Sequence, residues 1–287
     1  MLKSAALLAI VLVTAGCGSV QKASAPKLDA AGRYLVYERL TGEKGVWIAD
    51  ANGSHPRLLV RDGAEPAISP DGKQVAYVPQ CGQGDSCPGT YVVPTSGGRP
   101  RRVSSDWRVE PPFTWSPDSK RIVVIRETFS ETTLVTIDVV SGKESKLAKT
   151  LAEGEFWGWS FSPDGRQIVY ARADHVYEDS GDIGYAVDLF IINSKGGEPK
   201  RITATGDSGD PIWGPHSIAF SRLFGRNEIE QIQPDGSGRK RITDLPDHVP
   251  GNGFIDLTPV GWSDNGRDLA RRPICAGLHG TVPRREG

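Results

Sequence analysis

The chain has 287 residues, with 34 Lys and Arg against 35 Asp and Glu and a formal net charge of -1. That length is ample for one all-β domain and short for two, and the charge balance leaves no electrostatic footprint for nucleic acid. Helical periodicity is scarce beyond the N-terminus, and frequent Gly and Pro suit many short strands and turns.

Residues 1–17 read as an export signal and not as part of the fold. Lys3 is a small basic region, residues 5–13 are apolar but too short to span a bilayer, and Thr14-Ala15-Gly16-Cys17 follows. This resembles a bacterial lipobox, in which the signal is cut before Cys and the Cys is acylated, although Thr14 stands where Leu is commonest. The alternative is an ordinary secretory signal with an incidental Cys. The lipobox reading implies lipidation at Cys17, a flexible tether over 18–24, and anchoring in the bacterial envelope on the periplasmic or outer face of a membrane. Export makes disulfides possible. Cys81 and Cys87 lie in one Gly- and Pro-rich loop and are expected to pair, whereas Cys275 has no obvious partner.

From there one motif recurs. A worn copy comes first: Pro26, Leu28 and Gly32 fall 40 residues before Pro66, Ile68 and Gly72, and Arg33-Tyr34-Leu35-Val36-Tyr37 follows as a strand. Ser69-Pro70-Asp71-Gly72, Ser116-Pro117-Asp118-Ser119 and Ser162-Pro163-Asp164-Gly165 are full copies, spaced 47 and 46 residues apart, each ahead of an apolar strand. Trp213-Gly214-Pro215-His216 and Trp262-Ser263-Asp264-Asn265-Gly266 are weaker ones. Pro sets φ at the second turn position, Asp bonds its own backbone, and Gly accepts a left-handed conformation. Short Gly turns recur later in each unit, at Asn52-Gly53, Ser96-Gly97-Gly98, Ser141-Gly142, Lys195-Gly196-Gly197 and Asp235-Gly236.

The units therefore run over 27–60, 65–103, 112–147, 156–203 and 210–243, with a sixth that starts at 258 and does not finish. Four strands per period of this length is the signature of a β-propeller blade, because stacking blades about an axis buries faces that a lone sheet leaves open. The fold expected for 25–270 is an all-β, six-fold β-propeller with an incomplete last blade, monomeric, followed by an irregular tail over 271–287.

The repeated Ser-Pro-Asp-Gly turn, its apolar strand, and the later Lys200-Arg201-Ile202-Thr203 and Lys240-Arg241-Ile242-Thr243 resemble the TolB-type propeller repeat of the broader WD-like group. The resemblance covers about residues 25–270. It implies a propeller but not one function. The repeat occurs in the periplasmic TolB protein, which binds partner proteins, and in propellers that precede prolyl-oligopeptidase catalytic domains.

Catalytic signatures are sparse. No Gly-x-Ser-x-Gly elbow is present. Gly206-Asp207-Ser208-Gly209-Asp210-Pro211 is similar to the nucleophile segment of trypsin-like proteases, but the match breaks at Asp210 and no matching His segment lies upstream. The acidic stretch 174–182 lacks calcium-loop spacing, the five His form no zinc pair, and no cofactor or metal is implied. Trp115, Trp157, Trp159, Trp213 and Trp262 are expected to pack between blades. The basic pairs Arg101-Arg102, Lys200-Arg201 and Lys240-Arg241 are expected to guard sheet edges.

Hairpin turns alternate between the two ends of a sheet. The Ser-Pro-Asp turns and the short Gly turns thus share one face, and the long connections 79–89, 104–112, 172–186, 205–210 and 244–257 share the other. Irregular loops on a rigid scaffold are where binding resides. The ligand-facing candidates are Trp107, Arg108, Glu110, Asp174, His175, Asp207, Asp210 and His248. The expected function is a non-catalytic envelope lipoprotein that binds a partner protein or envelope ligand through the long-loop face. The alternatives are a propeller hydrolase or lyase acting on peptides or glycans, with Asp247 also in its site, or the orphaned propeller of a prolyl-oligopeptidase-like protein.

Overall fold

The computed structural model describes residues 27–80, 89–106, 108–150, 154–177, 183–223, 228–243, 255–262 and 269–275, and every regular element among them is a β-strand. The first sheet holds β1 (Lys27–Leu28), β2 (Tyr34–Arg39), β3 (Gly45–Asp50) and β4 (Arg57–Arg61). The second holds β5 (Gly63–Ile68), β6 (Gln74–Pro79), β7 (Thr90–Pro94) and β8 (Arg101–Ser104). The third holds β9 (Val109–Trp115), β10 (Arg121–Glu127), β11 (Thr132–Asp138) and β12 (Glu144–Lys149). The fourth holds β13 (Glu155–Phe161), β14 (Gln167–Tyr177), β15 (Ile183–Asn193) and β16 (Lys200–Arg201). The fifth holds β17 (Ser208–Trp213), β18 (Ile218–Arg222), β19 (Ile229–Ile232) and β20 (Lys240–Arg241). A last sheet pairs β21 (Ile255–Trp262) with β22 (Leu269–Cys275).

In each sheet the strands lie in chain order and pair antiparallel. The first strands of successive sheets are neighbours: β9 packs on β5, β13 on β9, β17 on β13 and β21 on β17. The sheets therefore fan out from a common axis as a β-propeller. Alternation along the strands divides the core into slabs between sheets. Val75, Tyr77 and Val93 face the first sheet, while Ala76 and Val92 face the third. Val123 and Leu134 meet Trp159 and Tyr170 between the third and fourth sheets, and Val169 and Leu189 meet Ile218 and Phe220 between the fourth and fifth.

The Ser-Pro-Asp turns share one bonding pattern. The Ser162 hydroxyl donates to Asp164 Oδ1 at 2.6 Å and accepts from the Gln167 amide at 2.9 Å, while Asp164 Oδ1 accepts from the Arg166 amide at 3.0 Å. Ser69 with Asp71 and Gln74, and Ser116 with Asp118 and Arg121, repeat it. All three serines are buried. In the worn first copy Asp29 takes the serine's place, its Oδ1 accepting from the amides of Arg33 and Tyr34 at 2.6 and 3.0 Å.

Several expectations need correction. The stretch 172–186 is not a loop throughout, since β14 and β15 pair from Gln167↔Asn193 out to Tyr177↔Ile183 in a long hairpin. Likewise β9, β17 and β21 begin at Val109, Ser208 and Ile255, inside three stretches expected to be connections. The tail is regular as far as Cys275, because β22 pairs with β21 up to Ile255↔Cys275. The basic pairs do more than guard edges. Lys200 Nζ donates to the Asp235 carbonyl of the next sheet at 3.0 Å, Arg57 donates in the same sense to Thr95 O, and Arg201 pairs with Asp188.

The first strands of the second to sixth sheets also carry a register break, between Ala64 and Ala67, Glu110 and Thr114, Phe156 and Trp159, Gly209 and Ile212, and Pro259 and Gly261. Glu65, Gly158 and Asp210 sit there with φ of 50°, 83° and 46°. These are β-bulges, and the Pro or Gly inside each strand run was their signal in the sequence.

Candidate interaction surface

The two ends of the sheets differ in how they are tied. At the Ser-Pro-Asp end the turns of the first four sheets are bonded in series. The Ala30 amide donates to Pro70 O at 3.3 Å, the Asp71 amide to Ser119 Oγ at 3.1 Å, and Arg121 Nη2 to Gly165 O at 3.2 Å. The other end carries the connections between sheets and the second-to-third hairpins, each held by its own partners.

From the second sheet to the third, Arg126 lies between Asp106 and Glu144, with Nε 2.8 Å from Asp106 Oδ2. Arg108, a predicted ligand-facing residue, instead grips Asp106 through Nε and Nη2 at 2.9 and 3.0 Å. The Arg108 side chain holds the Asp106 carboxyl below the ordinary carboxylate range. From the fourth sheet to the fifth, buried Asp188 accepts from Thr203 Oγ1 and from the amides of Thr205 and Gly206 at 2.8, 3.1 and 3.2 Å. Asp207 is a structural anchor: its Oδ2 accepts from Arg222 Nε at 3.0 Å and its Oδ1 from Arg239 Nη2 at 3.1 Å. Burial pushes the Asp207 carboxyl up, but Thr205, Arg239 and Arg222 outweigh it and hold it below the usual range.

Asp210 is locked in a bulge beside Gly158, where an added Cβ would lie 3.0 Å from Asp210 Cα. Ser208 of the protease-like stretch is wholly buried. Asp174 is exposed and paired with Arg172 at 2.9 Å. His175 and Glu110 are placed only by register, opposite Tyr185 and Ile125. Trp107, His248, Asp247, Cys17, Cys81 and Cys87 fall outside the described residues. The predicted residues are thus spread over separate anchors.

What does converge on this end is a row that sequence reasoning missed. Phe129, at the β10–β11 turn, has a relative exposure of 110%. It lines a recess with Glu127, Glu131 and Glu155. Trp157 Nε1 donates to Glu155 Oε2 at 2.8 Å, and the Trp157 ring lies 5.9 Å from that of Tyr185, itself exposed on β15. Trp157 is half-buried and, with Trp213, packs against the core between the fourth and fifth sheets, and Trp115 and Trp159 are buried, all as expected. Among the described residues no group of three or more His, Cys, Asp or Glu could hold a metal ion, and no helix is long and apolar enough to cross a membrane.

Residues 19–216 match the TolB beta propeller domain family. The chain is 25% identical over 182 residues to the uncharacterized peptidase YuxL of Bacillus subtilis, covering 63% of this chain but 23% of that protein, so it spans less than a quarter of this curated relative. The β-propeller domain of the Trilobed protease from Pyrococcus furiosus superposes with a TM-score of 0.60 at 15% identity, over 89% of this chain and 85% of that one. TolB from Acinetobacter baumannii gives 0.56 at 19% identity, over 86% and 64%. At these identities the structural likeness speaks to fold alone.

Proposed function

The chain belongs to the TolB β-propeller family, and from that premise we propose a non-catalytic lipoprotein of the bacterial cell envelope that binds a partner protein through the rim of long connections. In this reading lipid on Cys17 anchors the chain, residues 18–24 give slack, and the propeller is a rigid monomeric platform. The observation that carries it is the row of exposed Phe129, Glu155 and Tyr185 with half-buried Trp157 between them. Exposed aromatics beside charges are enriched where proteins dock. The engagement of Asp106, Asp174 and Asp207 by arginines supports binding over catalysis.

The test is recovery of partners from detergent-solubilised envelope. The wild type is compared with a variant whose β14–β15 hairpin is shortened to a two-residue turn after Arg172. Loss of a specific partner is expected, and equal recovery overturns the rim assignment. Labelling with radioactive palmitate checks the anchor, since Cys17→Ala is expected to abolish incorporation.

A further inference from the structure

The rim has a chemistry more specific than exposure. The recess beside Phe129 has a volume of 190 Å³ and is lined by the 127–132 turn and by Gly154 and Glu155. Its ionisable residues are all acidic: Glu127, Glu131 and Glu155. Glu131 is ion-paired with Lys149 at 3.6 Å, a partly exposed pair that a partner's cation can join, and Glu155 accepts from Trp157. Glu127 is exposed.

An acidic recess alone could be a solvated surface. What sets this one apart is the Phe129 ring standing fully in solvent on its wall, at a turn position where small or polar residues are the usual choice. An aromatic face and carboxylates attract the same group, a cation: the ring through its quadrupole, the carboxylates through charge-assisted hydrogen bonds. A neutral apolar occupant would cover the ring but desolvate the carboxylates without a counter-charge, and an acidic one would be repelled.

We propose that the recess receives an arginine or lysine side chain of the partner protein, with the aliphatic stem against Phe129 and the charged head among Glu127, Glu131 and Glu155. This rests on the reading of the rim as the partner-binding surface.

The probe is a fluorescein-labelled peptide of alternating arginine and serine, with a counterpart carrying glutamate for arginine, titrated with the detergent-solubilised full chain. The arginine peptide is expected to bind at least about tenfold more tightly than the glutamate peptide and to weaken as salt rises from about 0.05 to 0.5 M. Phe129→Ala and Glu155→Gln are each expected to weaken it about three- to tenfold. Glu198→Gln, at the opposite end of the fourth sheet, is expected to leave it unchanged. Unchanged thermal unfolding shows that each variant folds. Equal binding of the two peptides, or equal binding by Phe129→Ala, Glu155→Gln and wild type, overturns the proposal. If in that case the shortened hairpin still loses its envelope partner, the rim reading stands and only the cationic occupant falls. If the shortened hairpin recovers the partner in full, the rim reading falls independently of the peptide result.

Discussion

The two ends of the sheets carry out different tasks with the same strands. At the Ser-Pro-Asp end Ser69, Ser116 and Ser162 make the same bonds to the turn aspartate and to the next strand, and the turns are bonded from sheet to sheet. At the opposite end the anchors are more varied: one connection is held by Arg126 between two carboxylates, one by Thr150 Oγ1 donating to Gly154 O at 2.8 Å, and one by buried Asp188, although Thr203 and Thr243 Oγ1 accept in the same way from the amides of Leu189 and Ile229. A repeated device can be copied with its blade and leaves no side chain over for a ligand. Individually anchored connections can each vary without disturbing the next, which is the property a recognition surface needs.

The contrast predicts that the irregular end, though variable, depends on single residues. Asp188→Ala removes the acceptor for Thr203 Oγ1 and for two connection amides. The expected loss is about 3 kcal/mol, the lower end of the range for breaking a buried pair, because Arg201 is half exposed and can rehydrate. Urea unfolding measures it, and a loss as small as that of one Ser-Pro-Asp turn would erase the distinction. At the repeated end Ser162→Ala is expected to cost about 1–2 kcal/mol, with similar values for Ser69→Ala and Ser116→Ala. Widely different values among the three would show that shared geometry does not mean shared energetics.

The turn also sets a pH dependence. The Ser162 hydroxyl, followed by the Arg166 amide, holds the Asp164 carboxyl below its ordinary value. A carboxyl depressed by folding stabilises fully above its unfolded pKa of about 4, and that contribution disappears as pH falls through the lower folded value. The gap in urea midpoint between wild type and Ser162→Ala is therefore expected to narrow from about pH 7 to about pH 3. A gap that holds constant would assign the bond's effect to the serine alone.

These effects also explain what could be read from the sequence. Pro, Asp and Gly at fixed offsets are local chemistry, so turns and sheet count were legible without coordinates. The role of the turn serine was not, because its bond to the residue five positions on exists only once the hairpin closes. Asp207 looked ligand-facing because its neighbours are polar, yet its arginines arrive 15 and 32 residues later. The β14–β15 extension was hidden by Glu178-Asp179-Ser180-Gly181-Asp182, whose composition reads as loop however long the flanking strands are. Pro66, Gly158 and Pro211 did carry a signal: breakers inside strand runs mark the bulges.

Phe129 gave no local signal at all. It is one aromatic in Glu127-Thr128-Phe129-Ser130-Glu131, and its exposure follows from where the β10–β11 hairpin ends. Its substitution is where the smallest stability effect should accompany the largest functional one. Phe129→Ala buries nothing less and opens no cavity, so the unfolding free energy is expected to stay within about 0.5 kcal/mol of wild type. Ser162→Ala should do the reverse, lowering stability while leaving partner recovery intact at temperatures where the variant remains folded. A double dissociation of that kind separates scaffold from surface more sharply than either variant alone. Joint loss of stability and binding in Phe129→Ala would mean that the ring packs within the fold, and that the two ends are not divided in function as their bonding suggests.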